Sequence, residues 1–311
     1  METVQNEELR GSLQIFTAGI LWGCIGPFIR LMEEFGSTFA FTSFLRVAFS
    51  FLILATITVA KFGLGSLRIS KRTLVFCAIL GLLCQGIFNI FYSVAVTLTG
   101  MTIGAVLLNT APAFTTVVSY FVFREKMTWI KILAMLVNIL GCGLAATGGS
   151  FDVELFSITG ILCGIGAGFC YGMTPIIGRL AGAKSNSFVI STYSYLFAAV
   201  FLLLFLNPMH NAPLLDVRVL LLGFFYALIP TSFAYLIYYQ GLQKVKESSK
   251  VPVIASVEVV VAAIIGVAFF KEKINLINGL GILLVIFSIV LMNEKGFFRG
   301  GRAEKSEETL T

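Results

Sequence analysis

The chain has 311 residues, of which 58% are hydrophobic and only 12% charged, and its formal net charge is +6. A soluble domain carries roughly 25% charged residues, and a fold of this length could not hide so much apolar surface, so a soluble globular protein is excluded. Nucleic-acid binding is excluded as a reading of the positive charge, because the basic residues sit between apolar stretches, where they report membrane topology.

In chain order, ten apolar stretches long enough to cross a bilayer core of about 30 Å are predicted at 13–32, 39–60, 73–96, 102–123, 128–147, 157–178, 187–206, 218–241, 251–270 and 274–293. They are continuous rather than alternating, which makes them helices and not barrel strands. Residues 1–12 are polar and acidic and read as a cytoplasmic tail. The first span lacks a small-residue cleavage site, so it reads as a membrane helix and not a removed signal peptide. Gly148-Gly149-Ser150, followed by Asp152 and Glu154, divides the chain. The predicted organisation is a tail 1–12, a five-helix unit 13–147, a loop 148–156, a second five-helix unit 157–293, and a charged, Gly-rich tail 294–311 expected to be disordered. With both termini placed in the cytoplasm, seventeen Lys and Arg fall on that side and four on the other (Arg30, Arg218, Lys271 and Lys273), which sets the expected orientation. Cys24, Cys77, Cys84, Cys142, Cys163 and Cys170 all lie within apolar spans without a CxxC pair, and read as small buried residues.

The two units repeat. Phe123-Arg124-Glu125-Lys126 closes the fourth span and Phe270-Lys271-Glu272-Lys273 closes the ninth, 147 residues later; Tyr92 and Tyr239 keep the same offset. Five spans per unit is an odd number, so the second copy enters the membrane from the opposite side. Two inverted repeats with a site between them are the signature of a secondary transporter.

Ionisable groups inside a membrane helix are costly and default to functional candidates. Two stand well inside a span: Arg46 in the second and Glu258 in the ninth. Each is predicted about 10 Å deep at 1.5 Å per residue, from opposite sides, with a gap between them on the order of 10 Å in which a zwitterion or polar metabolite would fit. A structural pair is the alternative for these two. Glu258 is also the candidate proton carrier, because burial disfavours its charged form. Gln85, Asn89 and Tyr92 share a face of span three. Span four offers Asn109 and Thr110, with Pro112 freeing the Leu108 carbonyl. Trp22 and Tyr235 lie deep enough to line a pathway, whereas Tyr238, Tyr239 and Gln240 are expected as interfacial anchors near a span end. Gly160, Gly164, Gly168 and Gly172 form a stripe for close helix packing, and Gly19 and Gly23 a weaker one. Glu125 and Glu272 are expected as solvated, helix-ending charges, with a gate latch as the alternative.

Several of these residues resemble a known family. Trp22-Gly23 with Pro27 and Arg30 has its counterpart in Tyr171-Gly172 with Pro175 and Arg179; Asn109-Thr110-Ala111-Pro112 precedes the Glu125 motif, and Ser256-Val257-Glu258 precedes the Glu272 motif. Together they resemble the EamA type of the drug/metabolite transporter superfamily across all ten spans. That family often has Pro after the Glu of span nine, where this chain has Val259. The resemblance implies export or exchange of small metabolites, amino acids being the leading class, in a plasma (inner) membrane.

Enzyme chemistry lacks its parts. His210 is the sole histidine, and no HExxH motif, Walker loop or intramembrane Asp is present, so no cofactor and no metal are expected. The expected partners are a small-molecule substrate and membrane lipid, not nucleic acid, with the protein a monomer or homodimer. A passive channel or a lipid-handling protein is the rival reading.

Overall fold

A computed structural model describes residues 2–149, 157–182, 185–205, 207, 209 and 216–292. The inter-repeat loop beyond Gly149 and the tail 294–311 lie outside the described residues. Among those described there is helix and no strand. Span one comprises α1 (Glu2–Gly23) and α2 (Ile25–Glu34), and span two is α3 (Phe39–Phe62). Span three comprises α4 (Lys71–Ile79), a π-helical segment Leu80–Ile87 and the first part of α5 (Phe88–Leu108). Span four is the rest of α5 with α6 (Ala111–Phe123), and span five is α7 (Trp129–Thr147). In the second repeat, span six is α8 (Ile158–Gly182) and span seven α9 (Ser187–Phe205). Span eight comprises α10 (Val217–Ala227), a π segment Leu228–Phe233 and α11 (Ala234–Leu242). Span nine is α12 (Val251–Ala255) with α13 (Val257–Phe270), and span ten is α14 (Leu276–Met292).

The ends follow from local chemistry. Thr38, Ser70 and Thr128 cap α3, α4 and α7 by accepting the backbone N–H three residues on. Arg124 and Lys271 end α6 and α13 in the left-handed conformation, at φ 54° and 55°; the N–H of Glu125 then returns to Ser119 O and that of Glu272 to Gly266 O. Gly100 joins spans three and four at φ 80° with no loop between them, a turn that a side chain would strain.

The stretch 1–12, expected as a tail, is helical from Glu2 onward. Two contacts hold it: Gly11 lies against the Gly241 backbone, and Glu7 and Glu8 pair with Lys244, Lys246 and Lys250.

Packing crosses between the repeats in matched pairs. α1 lies on α11 and α13, while α8 lies on α5 and α6; α3 packs on α9, and α7 on α14. Spans one and six are thus equivalents, each seated on the other repeat, as a pseudo-two-fold axis in the membrane plane requires. The outward surface is apolar, with Leu136, Leu140, Leu283 and Phe287 exposed as lipid contacts demand.

The glycine stripes do what close approach requires. A Cβ at Gly172 would meet the Ala111 carbonyl at 2.8 Å, and one at Gly23 would meet the Glu258 carbonyl at 2.9 Å. Ala111 and Glu258 are 147 residues apart and both follow a helix break. Each break therefore rests on glycines of the other repeat.

Candidate functional site

Spans four and nine are each interrupted within their length. α5 ends at Leu108, Asn109 caps it, and α6 restarts at Ala111 with Pro112 in its first turn. In span nine the break is at Ser256, without a proline there. Ser256 Oγ donates to Val253 O at 2.6 Å and accepts from the Asn138 amide at 2.6 Å; the same amide donates to Ser288 Oγ at 2.9 Å. A polar network from spans five and ten thus holds the interruption. Glu258 consequently lies in the first turn of α13, where the helix dipole favours a negative charge. Depth reckoned along an unbroken helix does not apply to it. Both π segments also keep the repeat offset, Leu80–Ile87 against Leu228–Phe233. Thr231 Oγ1 donates to Tyr226 O, five residues back, at 2.9 Å, and Ser50 of span two donates to Ala227 O at 3.2 Å. These hydroxyls serve carbonyls that the irregular turn leaves open.

Arg46 is buried at 5% exposure on α3. Its guanidinium donates to Gln85 Oε1 and Asn89 Oδ1, each at 3.4 Å, and its carbon lies 5.8 Å from the Tyr226 ring centre. Nε has no partner within the described protein. Among the described residues no carboxylate pairs with Arg46, and none of the ion pairs involves Glu258. The two intramembrane charges do not neutralise each other. Glu258 is half-buried, and its carboxyl is within electrostatic range of Tyr92, Tyr171 and Tyr235. Tyr235 is within range of both Glu258 and Arg46, and reaches the Gln85 side chain.

An aromatic cluster lies beside this pair. Trp22 is buried with its ring centre 5.0 Å from Tyr235, 5.1 Å from Tyr238 and 6.2 Å from Tyr171. Tyr195 meets Tyr235 edge-on at 5.6 Å. Tyr238 and Tyr239, expected at the membrane interface, are instead buried in this cluster, because α11 packs against α1, α8 and α9 rather than lipid. Tyr92 stacks on Phe88 at 5.8 Å and touches Phe39. Asn89 joins Arg46 directly, whereas the Asn109 amide is committed to Ala105 O at 2.8 Å. The structure thus brings Arg46, Asn89, Tyr235 and Trp22 together with Gln85, sets Glu258 within range of Tyr92 and Tyr235, and shows no contact between Asn109 and Arg46. Tyr171, Tyr195 and Tyr226 escape the sequence reading as site residues. The repeat signals Tyr171, the counterpart of Trp22; nothing in the sequence signals the other two.

The membrane face at which α1 begins, called here the near face, is sealed by ion pairs. Glu125 binds Arg179 at 3.1 Å and also accepts the N–H of Ser248 at 2.6 Å, the N–H of Ser249 at 3.1 Å and the Ser249 hydroxyl at 2.7 Å. Its side chain is 7% exposed, so it is not the solvated charge expected. Lys131 and Lys250 bind Glu247 alongside it. A recess of about 30 Å³ between these residues and Met292 has room for water and not for a metabolite. On the far face Arg30 pairs with Glu272, both about half exposed. The two pairs are related by the repeat down to their ring contacts. Arg179 lies 4.7 Å above the Phe123 ring centre, and Arg30 lies 4.7 Å above that of Phe270.

Among known protein families, the EamA-like transporter family matches residues 9–147 and again 158–294, one match per repeat. The chain belongs to the EamA-like transporter family. It is an integral, multi-pass membrane transporter. Among its relatives, an "Uncharacterized transporter" of Archaeoglobus fulgidus is 25% identical over 281 residues, covering 90% of this chain and 95% of the relative. The "Uncharacterized inner membrane transporter YicL" of Salmonella typhimurium is 21% identical over 291 residues, covering 91% and 95%. A solved crystal structure superposes with a TM-score of 0.75 at 16% identity, covering 92% of this EamA-like chain and 97% of the other; that likeness is one of fold.

Proposed function

We propose that the protein is a secondary carrier for a small metabolite bearing a carboxylate, with amino acids as the leading class, and that it works by alternating access with its near face in the cytoplasm and its net direction outward. The observation that carries this reading is the lone cation of Arg46. A buried guanidinium costs several kcal/mol unless an anion or a full set of acceptors compensates it. Here it has two long amide contacts and a free Nε. A substrate carboxylate supplies the missing charge and the fork geometry that Arg binds best. Glu258, which enters no described ion pair, receives the substrate ammonium or the coupling proton. Trp22, Tyr235, Asn89 and Tyr92 shape the space between, and Asn109 borders it at the span-four break. The uneven distribution of basic residues supports the orientation.

The test is counterflow in proteoliposomes with labelled amino acids and other small carboxylates. Trans-stimulated, saturable uptake that disappears in Arg46→Ala supports the carrier. Flux that rises linearly with concentration and ignores Arg46 would establish a channel instead. Proton coupling is read separately, as the dependence of accumulation on an imposed pH gradient. Glu258→Gln abolishes that dependence if Glu258 carries the proton, and leaves it intact if another group does.

A further inference from the structure

The near-face seal is built from two repeats at once. Glu125 comes from the end of span four, Arg179 from span six, and Ser248 and Ser249 from the start of span nine. The repeat offset of 147 maps Glu125 onto Glu272 and maps Ser248 and Ser249 onto Met101 and Thr102 at the start of span four. Arg179 corresponds to Arg30 at the offset of 149 that relates spans one and six, and Arg30 already pairs with Glu272. The far-face assembly is therefore half made. Its ion pair exists, but Thr102 is exposed and makes no hydrogen bond to Glu272, whose side chain remains 45% exposed against 7% for Glu125.

We infer that Thr102 is a far-gate residue. When the near gate opens, Glu272 takes the backbone N–H groups of residues 101 and 102 and the Thr102 hydroxyl, as Glu125 now takes those of Ser248 and Ser249. The inference rests on the alternating-access reading and adds the contacts that define the second state. Thr102 is the first residue of its span, one position after the Gly100–Met101 turn. By the repeat offset it corresponds to Ser249 at the start of span nine. A carboxylate with several N–H and O–H donors is a strong, directional contact, so each gate has a well-defined closed geometry, and only one need be complete at a time.

The experiment uses cysteine pairs in the full-length protein in membranes, with disulfides located by peptide mapping so that the native cysteines need not be removed. Glu125→Cys with Ser249→Cys should link readily in the resting protein and serves as the folding control. Glu272→Cys with Thr102→Cys should link slowly. Adding Ser249→Ala to that second pair removes one near-gate bond to a carboxylate, about a tenfold change in the equilibrium, and should raise the linking rate by about that factor. The same link should block counterflow. A 102–272 link that never forms, or whose rate ignores Ser249→Ala while the 125–249 control links, overturns the inference. Cross-linking needs no substrate, so that result is separable from failure of the carrier reading, which would appear as wild-type protein with no counterflow for any compound.

Discussion

The breaks in spans four and nine are built alike and equipped differently. Each interrupts a helix at the same place in its repeat, and each is seated on a glycine of the opposite repeat, Gly172 or Gly23. Yet the first turn after the break carries Ala111 in one and Glu258 in the other. The same holds elsewhere. Arg46 corresponds to a stretch, Tyr193 to Tyr195, with no charge, and Asn89 corresponds to Leu236. The gates, by contrast, keep their chemistry in both copies: Arg, Glu and the aromatic ring beneath the Arg. On the proposed alternating-access reading, symmetry is retained where the carrier passes between two mirrored states and discarded where it recognises one asymmetric ligand.

That contrast is open to attack by mutation, most forcefully at its asymmetric parts. Arg46→Met should abolish counterflow while leaving the protein at least as heat-stable as wild type, since replacing a poorly compensated buried charge with an apolar side chain is often neutral or stabilising. A large loss of melting temperature would instead make Arg46 a structural residue. Gly23→Ala and Gly172→Ala should destabilise the fold by about 1–3 kcal/mol each, the usual cost of overpacking. Similar losses in thermal-shift measurements would confirm equivalent seats, and one tolerated substitution would break the symmetry of the scaffold. Asn138→Leu removes the contact to Ser256 at the span-nine break and that to Ser288 of span ten, and Asn138 has no counterpart in the other repeat, where Val285 occupies the corresponding place. The substitution should cost on the order of 1–3 kcal/mol and impair transport, whereas Val285→Leu should leave transport intact.

The smallest effect concerns pH. Burial pushes the Glu247 carboxyl up, but the hydrogen bond from Lys131 and the charge of Lys250 outweigh it and hold the group below its usual value. Its stabilising contribution is thus present above the unfolded value of about 4.3 and is lost as pH falls through the lower folded value. Melting curves from pH 6 down to about pH 3 should show a small loss of stability at the acid end that Lys131→Met reduces, Lys250 remaining to pair with Glu247.

The sequence makes the scaffold readable because the bilayer imposes it. Length and hydropathy place the spans, and the 147-residue offset exposes the repeat. The Arg and Glu of both gates are visible as motifs. What stays hidden is partnership across the repeats, since nothing in the order of spans says that Arg179 meets Glu125 while Arg30 meets Glu272. The span-nine break is equally silent, because it depends on Asn138 and Ser288 from other spans rather than on a local proline. Tyr195 and Tyr226 are ordinary aromatics in their own helices and become candidate site residues only through the packing of α9 and α10. Arg46, Glu258, Asn89 and Tyr235 could be singled out because polar groups at membrane depth have few other uses. Their missing partners could not be read from the chain.

The π segments add one more consequence. A helix turns by about 100° per residue, and a π turn absorbs one residue more than an α turn does. Everything downstream in span three, Asn89 and Tyr92 included, is therefore aimed by a count of residues and not by the identity of any one of them. Relaxing Leu80–Ile87 into plain α-helix at unchanged length would leave every hydrophobic contact type available and swing Asn89 by about 100°, away from Arg46. Such a change alters no functional group, and an inventory of conserved chemistry would pass over it, yet it would leave a well-folded protein facing the wrong way inside.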